Sequence, residues 1–148
     1  MTKLILLVED NASDEKLALL AFQRSGVPHE IVVARDGAEA LDYLFATGKH
    51  RDRDPMVRPA VILLDLKLPR VSGLEVLRRI RAVPETRHLP VVIMTASRED
   101  EDLLRGYSLG ANAYLRKPVD FGEFAEAARV LAGFWLKFNE QAPVLREA

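Results

Sequence analysis

The sequence predicts an α/β fold: a doubly wound parallel sheet of five strands, with helices on both faces. Three observations predict it. Short, branched, uninterrupted apolar runs such as Leu4–Val8 and Ala60–Leu64 suit strands buried on both faces. Amphipathic stretches alternate with these runs, and that alternation implies parallel strands joined by right-handed crossovers. Five such units in 148 residues give about 30 residues each, the size of a βαβ step.

Each element follows in order. Lys3–Val8 reads as the first strand. Ser13–Gly26 reads as a helix with Leu17, Leu20, Ala21 and the stem of Arg24 inward, and Gly26 and Pro28 end it. Glu30–Ala34 is the second strand. Asp36-Gly37 turns the chain into Ala38–Thr47, where Leu41, Leu44 and Phe45 share a face. Gly48–Pro59 is charge-rich and carries two prolines, so it reads as an exposed loop, longer than the usual connection of about 2–6 residues. Its Lys49, Arg51, Arg53 and Arg58 are interrupted by Asp52 and Asp54, which favours a solvated face over a nucleic-acid patch.

Ala60–Leu64 is the third strand. Gly73–Val83 is a helix with Val76, Leu77 and Ile80 inward, Arg78, Arg79 and Arg81 outward, and Pro84 closing it. Pro90–Thr95 is the fourth strand. Arg98–Leu109 is a helix that opens on Glu99, Asp100, Glu101 and Asp102, acids that oppose the positive end of its dipole. Ala113–Arg116 is a short fifth strand, Asp120–Asn139 a long last helix, and 140–148 a tail.

Composition narrows the function. Twenty-one Lys and Arg against 22 Asp and Glu leave a net charge of −1, unlike a dedicated nucleic-acid binder. With no cysteine there is no disulfide framework, thiolate metal site or Cys nucleophile, which fits a reducing compartment. No apolar run approaches the ~20 residues of a membrane span, and the amino terminus lacks the regions of a signal peptide. The expectation is a cytoplasmic protein of one domain, with no nucleic-acid or membrane partner. His29, His50 and His88 lack metal-like spacing and receive no role.

Ligands of such sheets sit beyond the carboxyl ends of the strands, near the switch in strand order. Glu9 and Asp10 follow the first strand, Asp65 follows the third, Thr95 ends the fourth, and Lys117 and Pro118 follow the fifth. The second strand contributes only Arg35 and Asp36, which suits the order 2-1-3-4-5, where it lies outside the cluster. Three carboxylates close together repel one another and call for a cation. An all-oxygen set favours a hard ion, usually Mg²⁺ where phosphate chemistry occurs. Together with a hydroxyl and an amine, the set suits phosphoryl transfer onto a carboxylate.

These residues resemble a family, the receiver domains of bacterial two-component response regulators. The matching pieces are Val-Glu-Asp-Asn at 8–11, Leu-Leu-Asp-Leu-Lys-Leu-Pro at 63–69, Ser72-Gly73, Met-Thr-Ala-Ser at 94–97 and Tyr-Leu-Arg-Lys-Pro at 114–118. The resemblance covers about residues 3–139 and implies the flavodoxin-like receiver fold. It implies a receiver domain over 1–139, a tail at 140–148 and no output domain. It also implies that Asp65 accepts a phosphoryl group from a partner histidine kinase. Glu9, Asp10, Asp65 and the backbone carbonyl of Lys67 would bind Mg²⁺, with Glu9 acting through a water. Thr95 and Lys117 would hold the phosphoryl group, and Ala96 would leave it accessible. The Lys117–Pro118 bond would be cis. Tyr114 would act with Thr95 as a switch, turning inward on activation.

A narrower resemblance rests on Tyr-Ser-Leu-Gly-Ala-Asn-Ala-Tyr at 107–114, the long loop before the third strand and Phe134-Trp135-Leu136. These look like the single-domain regulators that partner phytochrome-type histidine kinases and often dimerise. In the last helix, Phe121, Phe124, Ala128, Leu131 and Trp135 form a stripe that should be core. Ala127, Val130, Phe134 and Phe138 form a second stripe, which either packs internally or, as favoured here, joins two copies in a homodimer.

Two other functions compete. A nucleotide hydrolase would need a Gly-rich loop ending in Gly-Lys-Ser/Thr, and an aspartyl phosphatase would want Asp where Lys67 stands. A phosphorylation-independent pseudo-receiver is the remaining alternative, and the complete acid, threonine and lysine set argues against it. The expected protein is therefore a stand-alone phosphoacceptor, not an enzyme, that takes part in its own phosphorylation and autodephosphorylation. Lys67 and Ser97 flank the site and are expected to tune the hydrolysis.

Overall fold

The computed structural model describes residues 2–143. Its elements run β1 (Lys3–Val8), α1 (Ala12–Arg24), β2 (His29–Ala34), α2 (Gly37–Phe45), a 3₁₀ turn (Gly48–His50) and β3 (Val61–Leu64). Then come α3 (Gly73–Ala82), β4 (Val91–Thr95), α4 (Asp100–Ser108), β5 (Ala113–Arg116) and α5 (Phe121–Ala132), which continues into a π-helical turn (Gly133–Phe138). The five strands form one sheet in the order β2-β1-β3-β4-β5, and every pairing is parallel. Of the tail at 140–148, residues 144–148 lie outside the described residues.

Strand residues alternate between two cores, as the period of two requires. Leu4, Leu6, Val8, Ile62, Leu64 and Ile93 face α2 and α3, meeting Leu41, Leu44, Val76, Leu77 and Ile80. Ile5, Leu7, Val61, Leu63, Val92 and Met94 face α1 and α5, meeting Ala18, Phe22, Phe124, Ala128 and Leu136. Register then fixes the functional edge. Val8 pairs with Leu64 across β1 and β3, so the residues after both strands emerge side by side. The ladder runs on past the strands, with Asp65 N–H donating to the Val8 carbonyl at 3.2 Å and Lys117 N–H to the Thr95 carbonyl at 2.8 Å.

Helix starts follow local chemistry. Asn11, Asp36 and Ser72 accept from the backbone N–H three residues on and cap α1, α2 and α3.

Several faces differ from the sequence reading. In α1 the buried residues are Ala18, Ala21 and Phe22, while Leu17 and Leu20 are each 40% exposed. Small residues at 18 and 21 let α1 lie close to α5, whose contact also runs through alanines, Ala128 and Ala132. In α5 the buried positions step by four, Phe124, Ala128, Ala132 and Leu136. They follow the sloping i±4 row rather than the expected stripe. Phe121, Leu131 and Trp135 are only partly buried against that core.

Arg81 does not point out to water. Its guanidinium donates to the carbonyls of Gly110 (2.9 Å), Arg87 (2.9 Å) and Leu89 (2.7 Å) and to Asn112 Oδ1 (2.9 Å). The long loop is also more than a solvated face. Arg53 lies over the Tyr43 ring at 3.9 Å and donates to the carbonyls of Tyr43 and Val57, fastening the loop to α2.

Candidate functional site

The site is built at the carboxyl edge of the sheet, where the backbone is drawn in tightly. Gly73 opens α3 so close to the end of β3 that a Cβ there would lie 2.1 Å from the Asp65 carbonyl oxygen. Gly37 is crowded in the same way by the Val71 carbonyl, at 2.0 Å. Both glycines are therefore required by close approach, and together they hold the 65–73 loop in place. The Ser72-Gly73 pair thus combines a helix cap with the space the loop needs.

Glu9 and Asp65 are 4% and 7% exposed. The Lys117 ammonium lies between them, 2.6 Å from Glu9 Oε1 and 2.9 Å from Asp65 Oδ2, with Asp14 Oδ2 at 2.8 Å. Glu9 Oε2 accepts from Asn11 N–H at 3.2 Å, and Asp65 Oδ1 accepts a long 3.4 Å bond from Lys67 N–H. Asp10 is exposed beside them. Carboxylate oxygens of Glu9, Asp10 and Asp65 lie within 4.8 Å of one another.

Burial pushes the Glu9 carboxyl up to about 7, against the lowering pull of Lys117. Burial also opposes the Lys117 ammonium, but its bonds to Asp14, Glu9 and Asp65 outweigh that and hold it above its ordinary value. Three acids thus share one lysine, with Asp10 beside them. The remaining negative charge, on hard oxygen donors, suits a divalent cation held by Glu9, Asp10 and Asp65.

Thr95 is buried, and its Oγ1 accepts from Ser97 N–H at 3.3 Å. These groups line a pocket of about 280 Å³ together with Lys67, Ala96 and Ser97. Ala96 is exposed and small, as expected for access. Ser97 is more constrained than a flanking residue need be: its hydroxyl donates to Asp102 Oδ2 at 2.6 Å.

Tyr114 already faces inward. Its hydroxyl is buried with no hydrogen-bond partner among the described residues, its ring packs over Gly106, and burial raises the phenol above its ordinary value.

The structure brings Glu9, Asp10, Asp65, Lys67, Thr95 and Lys117 together. It corrects the expectation at Pro118, since the Lys117–Pro118 bond is trans and no cis peptide occurs among the described residues. Trans is the preferred form even before proline, by about 0.5–1 kcal/mol. Three carboxylates aim the lysine without help from the bond. Two residues of the neighbourhood went unread in the sequence. Asp14, in the first turn of α1, is a third partner of Lys117, and its signal was its position four residues after Asp10. Asp102 holds Ser97, although first-turn acids ordinarily only oppose the dipole.

Outside the pocket, Val130, Phe134 and Phe138 are 53%, 49% and 71% exposed along α5 and its π turn, with Ala127 partly buried beside them. No helix among the described residues is long and apolar enough to cross a membrane.

The family described as the response regulator receiver domain matches residues 5–129. Response regulator Rcp1 of Synechocystis sp. is 36% identical over 135 residues, 91% of this chain and 90% of that protein. The crystal structure of its Mn²⁺-bound form superposes with a TM-score of 0.86 at 34% identity, covering 95% of this chain and 99% of that one. The phosphorylated cyanobacterial phytochrome response regulator RcpA gives a TM-score of 0.88 at 36% identity, covering 97% and 100%. The bacteriophytochrome response regulator AtBRR is 51% identical, with a TM-score of 0.76 and coverage of 95% and 99%.

Proposed function

This chain belongs to the response regulator receiver domain family, and from that membership we propose that Asp65 is the side chain that accepts its phosphoryl group. As a response regulator the protein is a phosphorylation-accepting signalling protein rather than a conventional enzyme. The observation that carries the assignment is the position of Asp65: a buried carboxylate at the end of β3, one oxygen on the Lys117 ammonium at 2.9 Å, opening on a pocket that also contains Thr95.

In the proposed reaction an oxygen of Asp65 bonds to phosphorus as the bond from phosphorus to the kinase imidazole nitrogen breaks, and the imidazole keeps the electron pair. Lys117 stays paired with the growing negative charge, and the Thr95 hydroxyl turns to donate to a phosphoryl oxygen. Receivers of this family bind a divalent metal, and the Glu9, Asp10 and Asp65 carboxylates fit one. We assign Mg²⁺ to that place, with the Lys67 carbonyl as a further ligand. Such a cation supplies charge neutralisation at the phosphoryl oxygens. The same groups serve autodephosphorylation, in which a water oxygen bonds to phosphorus as the bond from phosphorus to the Asp65 oxygen breaks, Asp65 leaves as a carboxylate and inorganic phosphate is released; Lys67 and Ser97 border the approach of that water. Thr95 and Tyr114 carry the switch between the two states.

The proposed donor is a sensor histidine kinase of the phytochrome type acting in the cytoplasm, supported by the likeness to Rcp1, RcpA and AtBRR. The exposed line of Val130, Phe134 and Phe138 with Ala127 supports a homodimer through α5.

The assignment of Asp65 is tested by incubating the protein with Mg²⁺ and a small phosphodonor such as acetyl phosphate, then measuring acid-stable and acid-labile phosphoryl content. Wild type should acquire one hydroxylamine-sensitive phosphoryl group and Asp65→Asn none. A label of equal size on Asp65→Asn would overturn the assignment.

A further inference from the structure

A second cavity lies at the other end of the sheet, about 13 Å away along β3. It is formed where the long loop returns to the sheet and where α3 hands over to β4. The smaller part, about 280 Å³, has apolar walls from Leu44, Phe45, Pro55, Val57 and Pro59. A larger part, about 770 Å³, carries Arg87 and His88 and is closed on one side by Gln141–Pro143. Met56, Arg58, Glu85 and Leu89 line both parts.

Arg58 is the feature that needs explaining. Its Nε is buried and has no hydrogen-bond partner among the described residues. None of the ion pairs among the described residues includes it either. The two other partly buried arginines both have partners among the described residues. Arg53 donates to two carbonyls over a tyrosine ring, and Arg81 donates to four acceptors. A buried donor left without an acceptor costs free energy, and an acceptor that reaches it removes that cost. The cavity charge has the same sense, with Arg53, Arg58 and Arg87 against Glu85 alone.

We propose that this cavity is a binding site for a small organic carboxylate with an apolar, ring-sized body. The two carboxylate oxygens match the parallel N–H bonds of Nε and one terminal nitrogen of Arg58 once a turn of the side chain opens the buried Nε to the cavity, a bidentate geometry open to arginine and not to lysine. The apolar body fills the smaller cavity beside Phe45, Pro55 and Pro59. Glu85, which lines both parts, disfavours ligands of higher negative charge. The proposal gives the long basic loop a use the phosphoacceptor site does not, and it stands independently of the assignment of Asp65.

The test uses the full chain labelled with ¹⁵N and titrated into the millimolar range with benzoate. Benzamide, its neutral counterpart, and inorganic phosphate serve as comparisons. Benzoate should produce saturable amide shifts at Met56, Val57, Arg58, Glu85 and Leu89, with no matching shifts at Glu9 or Asp65. Benzamide and phosphate should not saturate. Arg58→Gln should weaken benzoate by about tenfold or more, and Arg58→Lys, which keeps the charge and loses the fork, should weaken it less. Equal binding of benzamide, saturable shifts with phosphate, or no saturable shifts at all would overturn the proposal, and none of these needs a variant to fold. Contacts between residues 144–148 and Met56 or Leu89 in the ligand-free protein would also overturn it, by assigning the cavity to the chain itself.

Discussion

Replacing Gly73 with alanine is the most discriminating small perturbation of the phosphoacceptor edge. The added Cβ would lie 2.1 Å from the Asp65 carbonyl oxygen and 2.7 Å from Leu66 Cα. Ordinary contact begins at 3.4 Å, so one side must retreat by about 1.3 Å. Both obstacles are backbone, so no side chain can swing away. Overpacking of this kind costs about 1–3 kcal/mol. For a chain of this length that lowers Tm by roughly 2–12 °C. A displacement of about 1 Å at the reacting carboxylate also slows phosphoryl transfer by up to about 10²-fold. The assay pairs a thermal melt with the rate of phosphorylation by a small donor. Gly133→Ala is the internal control: a Cβ there meets nothing within 4 Å, and the backbone is helical. It should stabilise by about 0.5–1 kcal/mol and leave the rate unchanged. If Gly73→Ala melted like wild type and accepted phosphate at the wild-type rate, the claim that α3 is pressed against the Asp65 loop would be wrong.

Three further outcomes follow from the same geometry. The Glu9 carboxyl, raised to about 7 in the fold, binds its proton more tightly when folded than when unfolded. Its contribution to metal-free stability is therefore complete below about 4.5 and disappears as pH rises through about 7. Since a cation needs the ionised form, Mg²⁺ affinity measured by calorimetry should weaken as pH falls below about 7, and a flat affinity would contradict the buried Glu9. Lys117→Met leaves Glu9, Asp14 and Asp65 without their shared partner. Without divalent ion it should lose about 3–5 kcal/mol in denaturant titrations, recover more than wild type on adding Mg²⁺, and accept phosphate poorly. Phe138→Asp changes a residue 71% exposed, so melting at concentrations too low for dimers should be unaffected, while sedimentation at high concentration shifts toward monomer; an unchanged dimer would remove α5 as the interface.

Sheet order and the main site were legible because strand ends are read by position. Glu9, Asp65, Thr95 and Lys117 each follow or end an apolar run, and a parallel sheet must bring such positions to one edge. Helix faces were less legible. In α1 the leucines at 17 and 20 looked like core by bulk, yet it is Ala18 and Phe22 that join the expected Ala21 inward, since how closely α1 meets α5 depends on residues over a hundred positions away. Asp14 had the same difficulty, as its bond to Lys117 spans 103 residues. Arg81 looked like its neighbours Arg78 and Arg79, which pair outside with Glu75. Its partners at Gly110 and Asn112 leave no mark near position 81. Beyond Ala132 the buried row continues to Leu136 through a wider turn, which a reading at fixed helical period does not anticipate.

The Arg81 contacts bear on how a signal leaves the phosphoacceptor edge. They tie the loop before β4 to the turn before β5, and Asn112 reinforces the tie by accepting from Val91 N–H at 2.8 Å and donating back to the Val91 carbonyl at 2.8 Å. One end of β4 is thereby anchored. The other end, at Thr95, adjoins α4, whose first residues receive no side-chain cap from Glu99. Thr95 lies some 13–17 Å along the strand from Val91, and it too is tied to β5, through the bond from Lys117 N–H to its carbonyl at 2.8 Å. The fourth strand is thus fastened to the fifth at both ends, by Asn112 and the arginine at one and by the backbone of the site lysine at the other. A movement of Thr95 therefore bears directly on the segment that carries Lys117.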